Sequence, residues 1–139
     1  MTRLSDRVAL VTGSTQGIGR DIAAELLACG ARVVLSSDDG EHAAAVAEEL
    51  DPTRKRTVGM RLDVRQRTDF VAAVAAIMAN WGRIDILVNN AGVTLSQDFF
   101  DITDDEWDAV LTTNLRSVFI GCQVVAPVKI GRASCRERV

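Results

Sequence analysis

Glycines crowd one short stretch of this 139-residue sequence, Thr12-Gly-Ser-Thr-Gln-Gly-Ile-Gly19, between a β-branched run and a segment of helical periodicity. A glycine-rich turn at that junction lets backbone N–H groups and the positive end of a helix face a pyrophosphate. Gly13 suits the tight turn, Gly17 a close approach of backbone to ligand, and Gly19 close helix–strand packing. No Lys-Ser/Thr follows the glycines, which excludes a P-loop. The spacing is G-x-x-x-G-x-G, and on these residues alone an ordinary glycine-rich connection stays open. Asp38 stands 21 positions after Gly17, near where an acidic residue typically accepts the ribose 2′-hydroxyl of a dinucleotide. Leu62-Asp63-Val64 closes a third apolar run and Asn89-Asn-Ala-Gly92 a fourth. Asn, Asp and Gly are turn formers, yet the carboxyl ends of strands are where ligands bind in open α/β sheets. Asn114 lies between Val110 and Val118 in an apolar helical stripe. An unpaired amide there would cost about 1–3 kcal/mol, so a buried, hydrogen-bonded side chain is expected.

These residues require elements to hold them. Arg7–Thr12, Arg32–Ser36, Thr57–Leu62 and Ile84–Val88 read as buried strands. Ile18, Ile22, Leu26 and Cys29 recur at helical spacing, with Gly30 placed to end that helix. A second helix spans Glu41–Leu50, stopped by Asp51-Pro52. A third presents Phe70, Val74, Ile77, Met78 and Trp81 on one face and ends at Gly82. Thr103-Asp-Asp-Glu106 fits a capping box. It opens a long helix with the stripe Trp107, Val110, Leu111, Asn114, Val118, Cys122, Val125, which Pro127 is expected to end. Strands alternating with helices predict an α/β fold with a parallel sheet and right-handed crossovers.

Composition narrows the function classes. The chain is 47% hydrophobic and 25% charged, as expected of one globular domain. A net charge of −3 disfavours a general nucleic-acid or anionic-membrane binder. The uninterrupted apolar runs are too short to span a bilayer, and no signal-peptide pattern precedes the first strand. Three cysteines and one histidine without C-x-x-C argue against a disulfide scaffold or a zinc site. The expected compartment is the cytoplasm. His42 reads as a solvated surface residue, Cys29 and Cys122 as small core residues. Phe99 and Phe100 read as either core or substrate-side residues.

Taken in order, Thr12–Gly19, Leu62-Asp63-Val64, Asn89–Gly92 and Asn114 make residues from about Leu4 to Val128 resemble the short-chain dehydrogenase/reductase family. The resemblance implies an NAD(P)-binding, Rossmann-like, doubly wound parallel sheet, here reaching about four strands. It implies that Gly13, Ser14, Gln16, Gly17, Ile18 and Gly19 cradle the pyrophosphate and the adenosine side. Asp63 and Val64 would flank the adenine; Asn90, Ala91 and Gly92 would line the ribose side and brace the central strands. Asn114 would be the Asn of an Asn-Ser-Tyr-Lys catalytic set, ordering a water behind the lysine. The implied activity is NAD(P)-dependent oxidoreduction of a small-molecule alcohol or ketone by hydride transfer, in a homodimer or homotetramer built through the long helices, with no metal, nucleic acid or membrane. NAD is expected over NADP. The carboxylate of Asp38 repels a 2′-phosphate, and the basic residues that NADP-preferring relatives carry at positions 16 and 38 are missing. A stand-alone, non-catalytic dinucleotide-binding module is the alternative.

The pattern then breaks. The chain contains no tyrosine, and its only lysines are Lys55 and Lys129. The Ser and the Tyr-x-x-x-Lys pair of the resembled family are absent, and without Tyr no proton donor stands at the carbonyl. Composition also shifts near Val128, where Lys129–Val139 carries a net +3 and leaves −6 for the remainder. Residues 130–139 resemble the translation of a common sequencing adapter, ATC GGA AGA GCG TCG TGT AGG GAA AGA GTG, whose next triplet is the stop TAG. Residues 1–128 are therefore expected to be an incomplete NAD(P)-binding domain from the front of a longer protein, inactive alone, and 129–139 a non-native tail.

Overall fold

The computed structural model describes residues 3–130. Four parallel strands, β1 (Val8–Val11), β2 (Arg32–Ser37), β3 (Thr57–Arg61) and β4 (Ile86–Val88), lie in the order β3-β2-β1-β4. Helices α1 (Gly17–Ala28), α2 (Gly40–Leu50) and α3 (Arg67–Trp81) connect them. After β4 come a short 3₁₀ turn (Phe99–Asp101), α4 (Asp104–Leu111), a π-helical turn (Thr112–Arg116) and α5 (Ser117–Ile130). The architecture is the expected α/β doubly wound sheet.

Successive side chains of a strand point to opposite faces, and the strands divide accordingly. Val8, Leu10 and Val34 pack with Phe70, Ala73, Val74, Ile77, Ile120 and Val125 from α3 and α5. Val11, Val33 and Leu35 pack with Ala23, Leu27, Val46 and Ala47 from α1 and α2. Because both faces are covered, β1 and β2 read as unbroken apolar runs rather than as alternating ones. The chain winds outward from β1 to β3, then returns to place β4 on the other side of β1. That reversal opens a crevice at the carboxyl ends of β1 and β4, where such sheets bind ligands.

Three local expectations are corrected. β4 begins at Ile86 rather than Ile84. Asp85 is drawn aside instead, taking the Val8 N–H at 2.9 Å and the guanidinium groups of Arg7 and Arg83. Pro127 does not end the last helix, which continues to Ile130. A proline there removes one N–H from the ladder close to the helix end, where few turns depend on it. The expected stripe on the long helix is also rotated. Trp107, Leu111, Asn114 and Cys122 are exposed, whereas Ser117, Ile120 and Val125 are buried. The π-helical turn at Thr112–Arg116 shifts the phase of the helix, and Gly121 turns inward. A Cβ at Gly121 would stand 2.8 Å from Asn89 Oδ1 and 3.1 Å from the Phe70 ring. Cys122 is consequently no core residue; Phe99 and Phe100 are likewise exposed and meet edge to face.

The helical stretch Asp104–Lys129 is long and apolar enough to cross a membrane by length and composition. Its apolar residues are interrupted by polar ones, so no single apolar run in it is long. Its Ile120 and Val125 pack into the same core as Phe70 and Ile77.

Candidate functional site

The crevice at the switch point is a cleft of about 650 Å³. Gly13, Gln16, Gly17, Ile18, Asp38, Asp63, Val64, Asn90, Ala91 and Gly92 all line it. Thr15 and Leu62, from the same motifs, line it as well, together with Ser37, Arg65, Val93 and Thr113, to which the sequence assigned no site role.

One wall is the turn from β1 into α1. Gly13 and Gly17 have φ of 60° and 53°, the left-handed region that glycine adopts without strain. A Cβ at Gly13 would press on Ala91 Cα at 2.8 Å, whereas at Gly17 it would meet nothing within 4 Å. Gly19 is buried, and a Cβ there would collide with Asn90 Nδ2 and Gly13 O. The N-cap of α1, Gln16, gives the helix no side-chain hydrogen bond. The first-turn N–H groups of a helix need partners from outside it and carry the positive end of its dipole.

The opposite wall is fastened to that turn by Thr12 and Asn90. The buried Thr12 hydroxyl oxygen accepts the N–H groups of Asn90 and Ala91, each at 3.1 Å. The Asn90 side-chain amide donates to the carbonyls of Thr12 at 3.2 Å and Gly13 at 2.9 Å. Ser14 points away from the cleft. Its hydroxyl donates to Val11 O at 2.7 Å and accepts the Ser36 N–H at 2.9 Å. Through its side chain Ser14 thus ties β1 to β2. Gly19 likewise stands behind the cleft wall rather than on it.

At the far end, Asp63 accepts from Arg65 three times, from Nε at 2.9 Å, Nη2 at 2.8 Å and the backbone N–H at 3.0 Å. The Arg65 guanidinium, more than burial, sets the direction of the Asp63 pKa and holds it below the ordinary carboxylate range. Asp38 lies beyond β2 and accepts from the Ser37 hydroxyl at 3.2 Å.

Asn114 is hydrogen-bonded but exposed, which corrects the expectation of burial. Its Oδ1 accepts the Val93 N–H and its Nδ2 donates to Val93 O, both at 2.7 Å. It thereby pins the segment just past Gly92, whose Cβ position lies 3.2 Å from Asn114 Oδ1. Asn114 itself is not among the cleft-lining residues.

Sequence comparison matches residues 7–136 to the short chain dehydrogenases. The chain belongs to the short chain dehydrogenase family. The match enters the segment 129–139, of which 131–139 lie outside the described residues. Among similar short chain dehydrogenases, D-threitol dehydrogenase of Mycolicibacterium smegmatis is 40% identical over 123 residues, covering 88% of this chain and 47% of its own length. The 3-oxoacyl-[acyl-carrier-protein] reductase FabG of Escherichia coli is 39% identical over 113 residues, covering 81% and 45%. A crystal structure of a metagenomic short-chain oxidoreductase in complex with NADP superposes with a TM-score of 0.83 at 36% identity, covering 92% of this chain and 58% of that one. A short-chain dehydrogenase/reductase from Brucella melitensis gives 0.85 at 32% identity, covering 91% and 53%. The chain spans about half the length of the curated relatives it matches.

The residues of this short chain dehydrogenase suit a dinucleotide. A helix start without a side-chain cap and an open space over Gly17 meet at the cleft, as a pyrophosphate requires.

Proposed function

We propose that the cleft holds the dinucleotide of an NAD(P)-dependent oxidoreductase and that this chain supplies the cofactor-binding part of that enzyme. The observation that carries the reading is the α1 N-terminus, without a side-chain cap and facing the cleft through Gly17. The backbone N–H groups of Gly17 and Ile18 and the turn around Gly13 and Gln16 would take the pyrophosphate, with Gly19 packed behind them. Leu62, Asp63 and Val64 would take the adenine side, and Asn90, Ala91 and Gly92 the ribose beside the nicotinamide. When bound, the nicotinamide supplies or accepts a hydride. Asn114 would act by position, through Val93. Titration of the chain with ADP-ribose by calorimetry tests this; no heat of binding at millimolar ligand would sink it.

The carboxylate of Asp38 at the ribose end supports NAD over NADP. Chemistry on a small alcohol or ketone needs a proton donor at the substrate oxygen. The sequence of this chain offers no tyrosine for that role, so the 139-residue chain is expected to turn over no carbonyl substrate with NADH. The adapter-like run at 130–139 supports a non-native tail, and resequencing the locus checks it: a native frame ending at Val139 overturns that reading. The free thiols Cys29 and Cys122 support a cytoplasmic location. Self-association through the long helices is supported by exposed Leu111, Leu115 and Phe119 around an apolar groove of about 690 Å³.

A further inference from the structure

The ribose end of the cleft contains a cation that has no part in the reading above. Among the described residues lining the cleft, Arg65 is the only cationic one, facing two carboxylates, Asp38 and Asp63. Asp63 occupies the Nε and Nη2 side of its guanidinium at 2.9 and 2.8 Å, which fixes the group in place. A guanidinium carries five N–H donors, and this pairing leaves the Nη1 side beyond it. Asp38 comes close because the two strands leave the sheet side by side. Ser37 pairs with Arg61 across β2 and β3, and the Leu62 N–H donates to Ser37 O at 2.7 Å. The Asp38 carboxylate acts on Arg65 through space, adding to the pull of Asp63.

We propose that Arg65 is a ligand for a cofactor 2′-phosphate held in reserve, silenced by the neighbouring charge of Asp38. The proposal rests on the dinucleotide reading of the cleft. Asp38, Asp63 and Arg65 together leave that end with one net negative charge, and a phosphomonoester brings roughly −1.5 to −2 more. Removing the Asp38 charge brings the local sum to zero. It leaves Arg65 as the donor nearest the ribose, already oriented by Asp63, and guanidinium–phosphate contacts are strong and directional. Specificity is then set by a pair of residues on the connections that follow adjacent strands rather than by Asp38 alone.

The experiment is a calorimetric titration of the full chain and its variants with ADP-ribose and with 2′-phospho-ADP-ribose. Asp38→Asn is expected to tighten 2′-phospho-ADP-ribose by about tenfold, the worth of one charge-assisted hydrogen bond, while ADP-ribose binds more weakly but still measurably, having lost the carboxylate acceptor of its 2′-hydroxyl. Adding Arg65→Gln should abolish the gain, and adding Arg65→Lys should retain most of it. ADP-ribose binding by each variant reports that its cleft is folded. A gain that persists in D38N/R65Q, or no gain in D38N, overturns the role of Arg65 while leaving the dinucleotide reading intact. Failure of the unsubstituted chain to bind ADP-ribose overturns both.

Discussion

Thr12 holds both walls of the cleft through one hydroxyl. Its oxygen receives the Asn90 and Ala91 N–H groups in a buried setting, so Thr12→Val leaves two donors without their acceptor. A loss of about 1–3 kcal/mol is expected, read from urea midpoints. In the sequence Thr12 is only the last letter of a strand; its partners lie 78 and 79 positions away, a distance no local pattern reports. The glycines were legible because their backbone demands are local. Ser14 and Arg65 were not, since what their side chains touch depends on β2 and β3. Asn114→Ala should release Val93 at little cost to overall stability, because the site is exposed. Hydrogen exchange at the Val93 amide is expected to quicken by about tenfold or more, as its acceptor is lost. Asp51 and Asp63 carry a pH signature. Asp51 titrates below the ordinary range chiefly because the Thr53 hydroxyl donates to it, with the Arg56 N–H adding to that. Asp63 does so because of Arg65. A folded-state pKa below the unfolded one stabilises fully above the unfolded value, about 4, and the benefit fades as pH falls through the folded value. Asp51→Asn is therefore expected to be less stable than the parent at neutral pH, with the gap closing toward about pH 2. An unchanged gap in urea melts at both pH values would contradict the assignment.

At the scale of elements, helix α3 and the capping box of α4 matched their sequence signals. Gly82 ends α3 with φ 70°, and Thr103 and Glu106 exchange both bonds of the box. The long helix misled because its exposed face is the more apolar one. Trp107, Leu111 and Val118 suggested a core stripe, while the true inner face opens with Ser117 and includes Gly121, small residues that a hydrophobic pattern passes over. Close packing on Phe70 and Asn89 selects Gly121. Gly121→Val is expected to destabilise by about 1–3 kcal/mol through overpacking, seen as a lower midpoint in thermal and urea melts alike. A melt indistinguishable from the parent would mean that α5 does not sit against α3 as described.

Over the whole molecule, β4 forms one edge of the sheet and the α4–α5 face lies open. Leu115 and Phe119 are 66% and 58% exposed, and the proposed self-association would run through them. Leu115→Lys with Phe119→Glu is expected to shift sedimentation velocity toward the monomer; an unchanged distribution would place the contact elsewhere. Sheet order was legible only in part. Alternating strand and helix signals imply parallel pairing, but the sequence before β4 does not say on which side of β1 that strand will lie. Its placement has a consequence in time. The hydroxyl of Thr12 waits for the amides of Asn90 and Ala91, so a chain emerging from the ribosome owns no cleft until its ninety-first residue is out. At about 5–20 residues per second that is roughly 5–20 s of synthesis. Throughout it the glycine turn exists without the wall that shapes it, and cofactor cannot template the early fold.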